Sequence, residues 1–227
     1  MRYFDRRGLD FLADLADHNR RDWFLEHKSD YEDHVRQPFL RLIADLAPAL
    51  ATISPHFRAD PRPVGGSLFR AHRDTRFGKD KTPYKTHAGA RLFHARSKEV
   101  PSPSFYIHIA PEQCFIGAGL WHPEPATARR IKDFIVENPS AWQKAVREPA
   151  FARRYRLDDS EKSVRAPRGY PADHPLIEDL KHRNFVALRP LDDATVTGHA
   201  LLTVLTRDLA GLAPLVDYLC AALDLEF

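Results

Sequence analysis

The 227 residues, 43% hydrophobic and 29% charged, supply a real core for one large domain or two small ones. Two cysteines, Cys114 and Cys220, exclude a disulfide framework and a Cys-based zinc site. No segment approaches the ~18 uninterrupted apolar residues of a membrane-spanning helix, and the residues after Met1 lack a signal peptide's apolar core. The expectation is a reduced, cytoplasmic protein with no membrane partner.

Leu9, Leu12, Ala13 and Ala16 fall at helical spacing, with His18 and Asn19 as the break. Ser29 and Glu32 have the form of a capping box ahead of an apolar stripe of Tyr31, Val35, Phe39, Leu42, Ile43 and Leu46. Pro38 inside that stripe predicts a kink or a split, and the four prolines between Pro48 and Pro63 predict a connection. The segments 88–93, 105–109 and 114–121 read as strands. The alternation of Phe105, Ile107 and Ile109 with Tyr106 and His108 is the clearest period of two. Pro111 to Gln113 is the expected hairpin turn.

Helices are expected after Pro125, from Ser140 to Val146, and over Leu201 to Leu209, with Pro214 starting a further one. Residues 184–188 form a last short strand, and 157–175 a long polar loop. The predicted architecture is α+β: a single domain over residues 1–227 with N-terminal helices, a central mainly antiparallel sheet and C-terminal helices.

Charge is distributed unevenly about a net +3. Residues 62–98 hold ten Lys/Arg against two Asp, a surplus of eight; the remaining 24 basic and 29 acidic residues leave −5. The densest part runs from Phe69 to Thr86. Arg70, Arg73, Arg76, Lys79, Lys81 and Lys85 alternate there with Asp74, Asp80, Phe77 and Tyr84. Three of the nine lysines sit within seven residues of a chain that otherwise prefers arginine. Such a run is too charged for a core strand and too punctuated by Gly78 and Pro83 for a helix.

The same residues carry a resemblance. Phe69-Arg70, Arg73-Asp74, Arg76-Phe77, Lys79-Asp80-Lys81 and Pro83-Tyr84-Lys85-Thr86 resemble the hallmark of the domain-of-unknown-function 2461 family. Trp23-Phe24, Lys28, Tyr31, Tyr106, His108, Gly117 to Trp121 and Arg165 to Pro175 fit it as well. Gly78 stands where that family more often has a serine. The resemblance implies one α+β domain and transfers no catalytic residue.

The residues themselves suggest an anion site. Arg offers a planar fork for phosphate or carboxylate and Lys a point charge. Arg70, Arg73, Arg76, Lys79, Lys81 and Lys85 are the candidates to hold a small anionic, phosphorylated ligand, with Tyr84 and His108 to orient it. Asp74 and Asp80 are placed to steer the basic heads. His72, His87, His108 and Tyr84 are the candidate acid–base groups should the protein be a hydrolase or transferase. Two alternatives stand beside this reading. Phe69, Phe77 and Tyr84 among basic residues would suit a single-stranded nucleic acid, or the run is an internal ion-pair network. No metal-ligand spacing and no cofactor fingerprint is present; a meeting of His94 and His108 across strands is the one weak metal pattern. The oligomeric state has no marker.

Overall fold

The computed structural model describes residues 1–76 and 79–227. Helix α1 (Arg6–Asp17) starts where the Asp5 carboxylate accepts from the Gly8 backbone N–H at 3.2 Å. Its buried face is Leu9, Phe11, Leu12 and Leu15, so the stripe turns on the large side chains, and Ala13 and Ala16 are exposed. Helices α2 (Arg21–Glu26) and α3 (Lys28–Asp30) follow, then a π-helical segment, Tyr31–Arg36, that runs straight into α4 (Gln37–Ile53). Ser29 makes no cap here. It lies inside α3, where the chain is already helical. The split expected at Pro38 falls just ahead of it, between Arg36 and Gln37, as the change from π to α winding, which puts the proline in the first turn of α4.

Two prolines expected to bound helices lie inside them. Helix α4 continues through Pro48 to Ile53, and α10 (Leu201–Ala222) continues through Pro214. An interior proline costs about 3 kcal/mol. Around Pro48, Leu42, Ile43, Leu46 and Leu50 are fully buried, and around Pro214 so are Leu209, Leu212, Leu215, Val216 and Leu219. At roughly 1.5–3 kcal/mol per buried aliphatic side chain, the packed stripe outweighs the lost hydrogen bond in each case.

Strands β1 (Phe57–Arg58), β2 (Ala88–His94), β3 (Ser104–Ile109) and β4 (Cys114–Leu120) lead to helices α5 (Pro125–Glu137), α6 (Pro139–Arg147) and α7 (Pro149–Ala152). Ser140 lies within α6, whose first residue is Pro139. The short strand β5 (Arg156–Leu157), helix α8 (Ile177–Leu180), strand β6 (Phe185–Leu191) and helix α9 (Asp193–Val196) complete the order before α10. All six strands pair antiparallel in the order β1-β2-β3-β4-β6-β5.

The pleat gives the sheet two unlike faces. Ala90, Leu92, Phe105, Ile107, Ile109, Ile116, Ala118 and Ala187 are buried on the face toward the helices, where α10 packs on β4 and on α4. The opposite face carries Arg91, Tyr106, His108, Phe115 and Leu188, exposed or half-exposed. No helix in the described residues is long and apolar enough to cross a membrane.

Candidate functional site

The basic run folds as a hairpin hung from the free edge of β2. Its lower part continues the sheet: Phe69 N–H donates to the Gly89 carbonyl and Arg91 N–H to the Ser67 carbonyl, both at 2.9 Å. Above that, Arg73 N–H donates to Pro83 O at 2.9 Å and Lys85 N–H to Ala71 O at 2.8 Å, closing an antiparallel bridge between His72 and Tyr84. The described part of the tip is residues 74–76 and 79–82. Phe77 and Gly78, named in the sequence reading, lie outside the described residues.

Tyr84 is the anchor. It is 2% exposed, and its ring stacks on Phe24 with centroids 4.0 Å apart and planes 14° from parallel. The Asn19 side chain accepts from Tyr84 N–H at 3.0 Å and donates to Tyr84 O at 2.9 Å, in effect a one-residue strand that clamps the hairpin. Tyr84 thus sits in the core, where it positions the hairpin, instead of on the hairpin's surface. Asn19 read from sequence as a helix break, which it is, and nothing local signalled its bonds to Tyr84.

At the tip, basic heads meet local acceptors. Arg76 donates to both oxygens of Asp74, at 2.9 and 2.7 Å. Arg73 pairs with Asp80 and donates to Thr82 Oγ1 at 2.6 Å, while Asp80 also accepts from Thr82 N–H at 2.9 Å. The Thr82 N–H and hydroxyl, then Arg73, pull the Asp80 carboxyl down to about 2. Lys81 donates to Thr75 O at 2.8 Å, and Lys79 is exposed. Asp74 and Asp80 therefore do steer arginine heads, as expected. These are solvent-screened surface pairs that contribute little stability, so they order the tip without locking it.

The hairpin's base meets the outer sheet face in a different way. The register sets Gly89, His108 and Phe115 abreast, and Arg91, Tyr106 and Gly117 abreast. His87, one residue before β2, lies 4.3 Å from His108 between ring centroids, and His108 stacks on Phe115 at 4.7 Å. The Tyr106 hydroxyl is 3.1 Å from His108 Nδ1. A Cβ on Gly89 would come within 2.3 Å of that hydroxyl oxygen, so the glycine is what lets the tyrosine ring lie across β2. Phe69 stands 6.0 Å from Tyr106, with Lys85 Nζ 5.1 Å over its ring and donating to Arg70 O at 3.0 Å.

No carboxylate among the described residues bonds to Lys85, His87, Tyr106 or His108. Burial, then the neighbouring His87, pushes His108 down to about 4. Burial, then Lys85 and Arg73, lowers His87. Lys85 is lowered by burial and then by Arg70, and burial raises the Tyr106 phenol to about 12. Lys85, His87 and His108 thus carry positive charge at a cost here, and Tyr106 stays a neutral phenol. Arg70 is exposed beside them.

Of the sequence-named residues, the structure brings Arg70, Lys85, His87 and His108 together at the base. It gathers Arg73, Arg76, Lys79, Lys81, Asp74 and Asp80 at the tip. His72 packs on Tyr84 at 4.9 Å, away from the His87–His108 pair. His94 does not meet His108. It lies at the other end of β2, buried, with Nε2 3.0 Å from the Glu226 carbonyl oxygen. No group of three His, Cys, Asp or Glu residues among the described residues is arranged to hold a metal. Tyr106 and Phe115 complete the site; their signal in the sequence was the strand alternation that puts them on the face of His108.

These features define an α+β protein built on a six-stranded antiparallel sheet, with a basic hairpin docked at one sheet edge and an aromatic, imidazole-bearing face beside it. Residues 7–218 match the family of conserved hypothetical proteins DUF2461, and the chain belongs to that family. No curated protein and no solved structure matches the chain.

Proposed function

We propose that the protein binds a small anionic, phosphorylated ligand where the hairpin base meets the outer sheet face. The observation that carries this reading is the convergence of Lys85, His87 and His108, none of them bonded to a carboxylate among the described residues, with Arg70 beside Lys85. At the tip, by contrast, Arg73, Arg76 and Lys81 have local acceptors. Arg70 and Lys85 supply charge, and the two imidazoles accept protons as an anion arrives. The Tyr106 hydroxyl, held at His108 Nδ1, fixes that ring's orientation. Arg73, Arg76, Lys79 and Lys81 extend the positive field, and the weak local pairs of Arg73, Arg76 and Lys81 can be exchanged for ligand oxygens at small cost. The same imidazoles are the groups that acid–base chemistry on a phosphoryl centre would use, so hydrolase or transferase turnover is the extension of this reading. A cytoplasmic setting fits two free, buried thiols.

One observation favours nucleic acid as the second reading. Phe69 is 39% exposed with an ammonium over its ring, which is how a stacking platform for a single strand is built.

Thermal unfolding with pyrophosphate, mononucleotides, phosphosugars and short oligonucleotides separates the readings. Pyrophosphate or a mononucleotide should raise the melting temperature of the wild type, and Lys85→Ala should abolish the rise. A salt-sensitive rise with oligonucleotides alone selects the nucleic-acid reading. If no anion has any effect and Lys85→Ala merely melts earlier, the hairpin is a structural ion-pair network and the proposal fails.

A further inference from the structure

The outer face of the sheet bears on what the phosphate at the hairpin base is attached to. Among the described residues, none of the six strands contains an Asp, Glu, Asn or Gln. Arg58, Arg91 and Arg156 lie on this face, abreast of Phe93, Tyr106 and Leu188 in turn. All three arginines are exposed, and none pairs with a carboxylate among the described residues. Phe93, Tyr106, Phe115 and Leu188 are half-buried and supply ring and aliphatic carbon. The face therefore favours an anion electrostatically and offers it carbon to pack on.

Its rings run without a break from the hairpin to β4. Phe69 stands 6.0 Å from Tyr106, Tyr106 5.8 Å from Phe115, and Phe115 4.7 Å from His108, whose ring is 4.3 Å from His87. Phe69 alone among these rings is exposed. Lys85 Nζ lies 5.1 Å from its centroid, so a phosphate on that ammonium brings whatever it carries against Phe69. A phosphosugar gains little here beyond its phosphate, because no strand carboxylate or amide accepts its hydroxyls. A nucleobase gains a ring to stack on. One exposed ring is a platform for one base, whereas a bound strand stacks successive bases on successive rings.

Resting on the reading that an anion binds at the hairpin base, we infer that the ligand is a mononucleotide, its phosphate on Lys85 and Arg70 and its base stacked on Phe69 beside Tyr106. Phe69 is then the residue that selects a nucleotide over other phosphate esters.

Titration calorimetry on the full chain with AMP, ribose 5-phosphate, pyrophosphate and a short oligodeoxyadenylate tests this assignment. AMP should bind one to one, and at least about fivefold more tightly than ribose 5-phosphate, which is AMP without its base. Phe69→Ala should bring AMP down to the level of ribose 5-phosphate and leave ribose 5-phosphate and pyrophosphate unchanged. Phe69→Trp should keep AMP binding, since any flat ring serves. Lys85→Ala should abolish binding of AMP, ribose 5-phosphate and pyrophosphate alike. The assignment is overturned if ribose 5-phosphate binds the wild type as well as AMP does, if Phe69→Ala binds AMP normally, or if the oligonucleotide binds and AMP does not. Pyrophosphate binding in any of those cases leaves the anion reading standing. If AMP, ribose 5-phosphate and pyrophosphate all fail to bind, the anion reading fails and the mononucleotide falls with it. The comparison of AMP with ribose 5-phosphate needs only the wild type, so it decides the matter even where Phe69→Ala disturbs the hairpin.

Discussion

Two clusters in this molecule pair arginine with aspartate, and they have opposite physical meanings. At the hairpin tip, Arg76 with Asp74 and Arg73 with Asp80 sit in solvent. Water solvates each partner nearly as well as the other partner does, so the pairs shape a loop and contribute little stability. Beneath β6, Asp208 is sealed between Arg154, Arg189 and Tyr155. Its charge has been taken out of water, so removing one member strands the rest. The first arrangement can open for a ligand. The second cannot open without loss of the fold. The base of the hairpin is a third kind of environment, half-buried and cationic with no acid in contact, and that sets it apart as the proposed anion site.

The sharpest way to break the comparison is Asp208→Ala. It leaves two partly buried guanidiniums without their common acceptor and should cost about 3–5 kcal/mol in urea unfolding. A loss below about 1 kcal/mol would mean that the cluster is solvated like the tip. Next comes the pH dependence of the base. His108 titrates near 4 in the folded chain, well below its ordinary value near 6.5. Between those values the unfolded chain takes up the proton first, so stability should fall as pH drops through that window. His108→Phe should flatten that part of the profile measured by chemical unfolding from pH 7 to pH 4.5. An unchanged profile would place the protonatable burden elsewhere. The smallest effect belongs to Asp74→Ala. Removing an exposed partner of Arg76 should leave the urea unfolding midpoint essentially unchanged. A measurable loss would show that the tip is a structural lock, which also counts against ligand exchange there.

Much of this was readable from residue order alone, and the failures are informative. The hairpin of β3 and β4 follows from a two-residue alternation that tolerates only one register with Phe105, Ile107 and Ile109 inward. The basic run was legible as a turn-rich connection between strands because Gly78 and Pro83 punctuate it. Pro48 and Pro214 misled because a local rule of about 3 kcal/mol met stripes of buried leucine worth several times that. Asn19 does mark the break after α1, as expected, but its second role was not legible. That role is a pair of hydrogen bonds to Tyr84, 65 residues away, and no local pattern encodes a partner at that distance.

The sequence by itself determined the α+β class, the antiparallel centre, the family and the concentration of positive charge between residues 62 and 98. Those properties depend on side-chain periodicity and composition, which are local. Only the tertiary structure decided which of those charges are spoken for. It divided one run of six basic residues into a tip where Arg73, Arg76 and Lys81 have local acceptors and a base that meets His87 and His108. It also buried Asp208, an unremarked acid in a helical stripe, against two arginines from other elements. Pairing and burial depend on what the rest of the chain brings to within about 4 Å, where desolvation and Coulomb attraction are set.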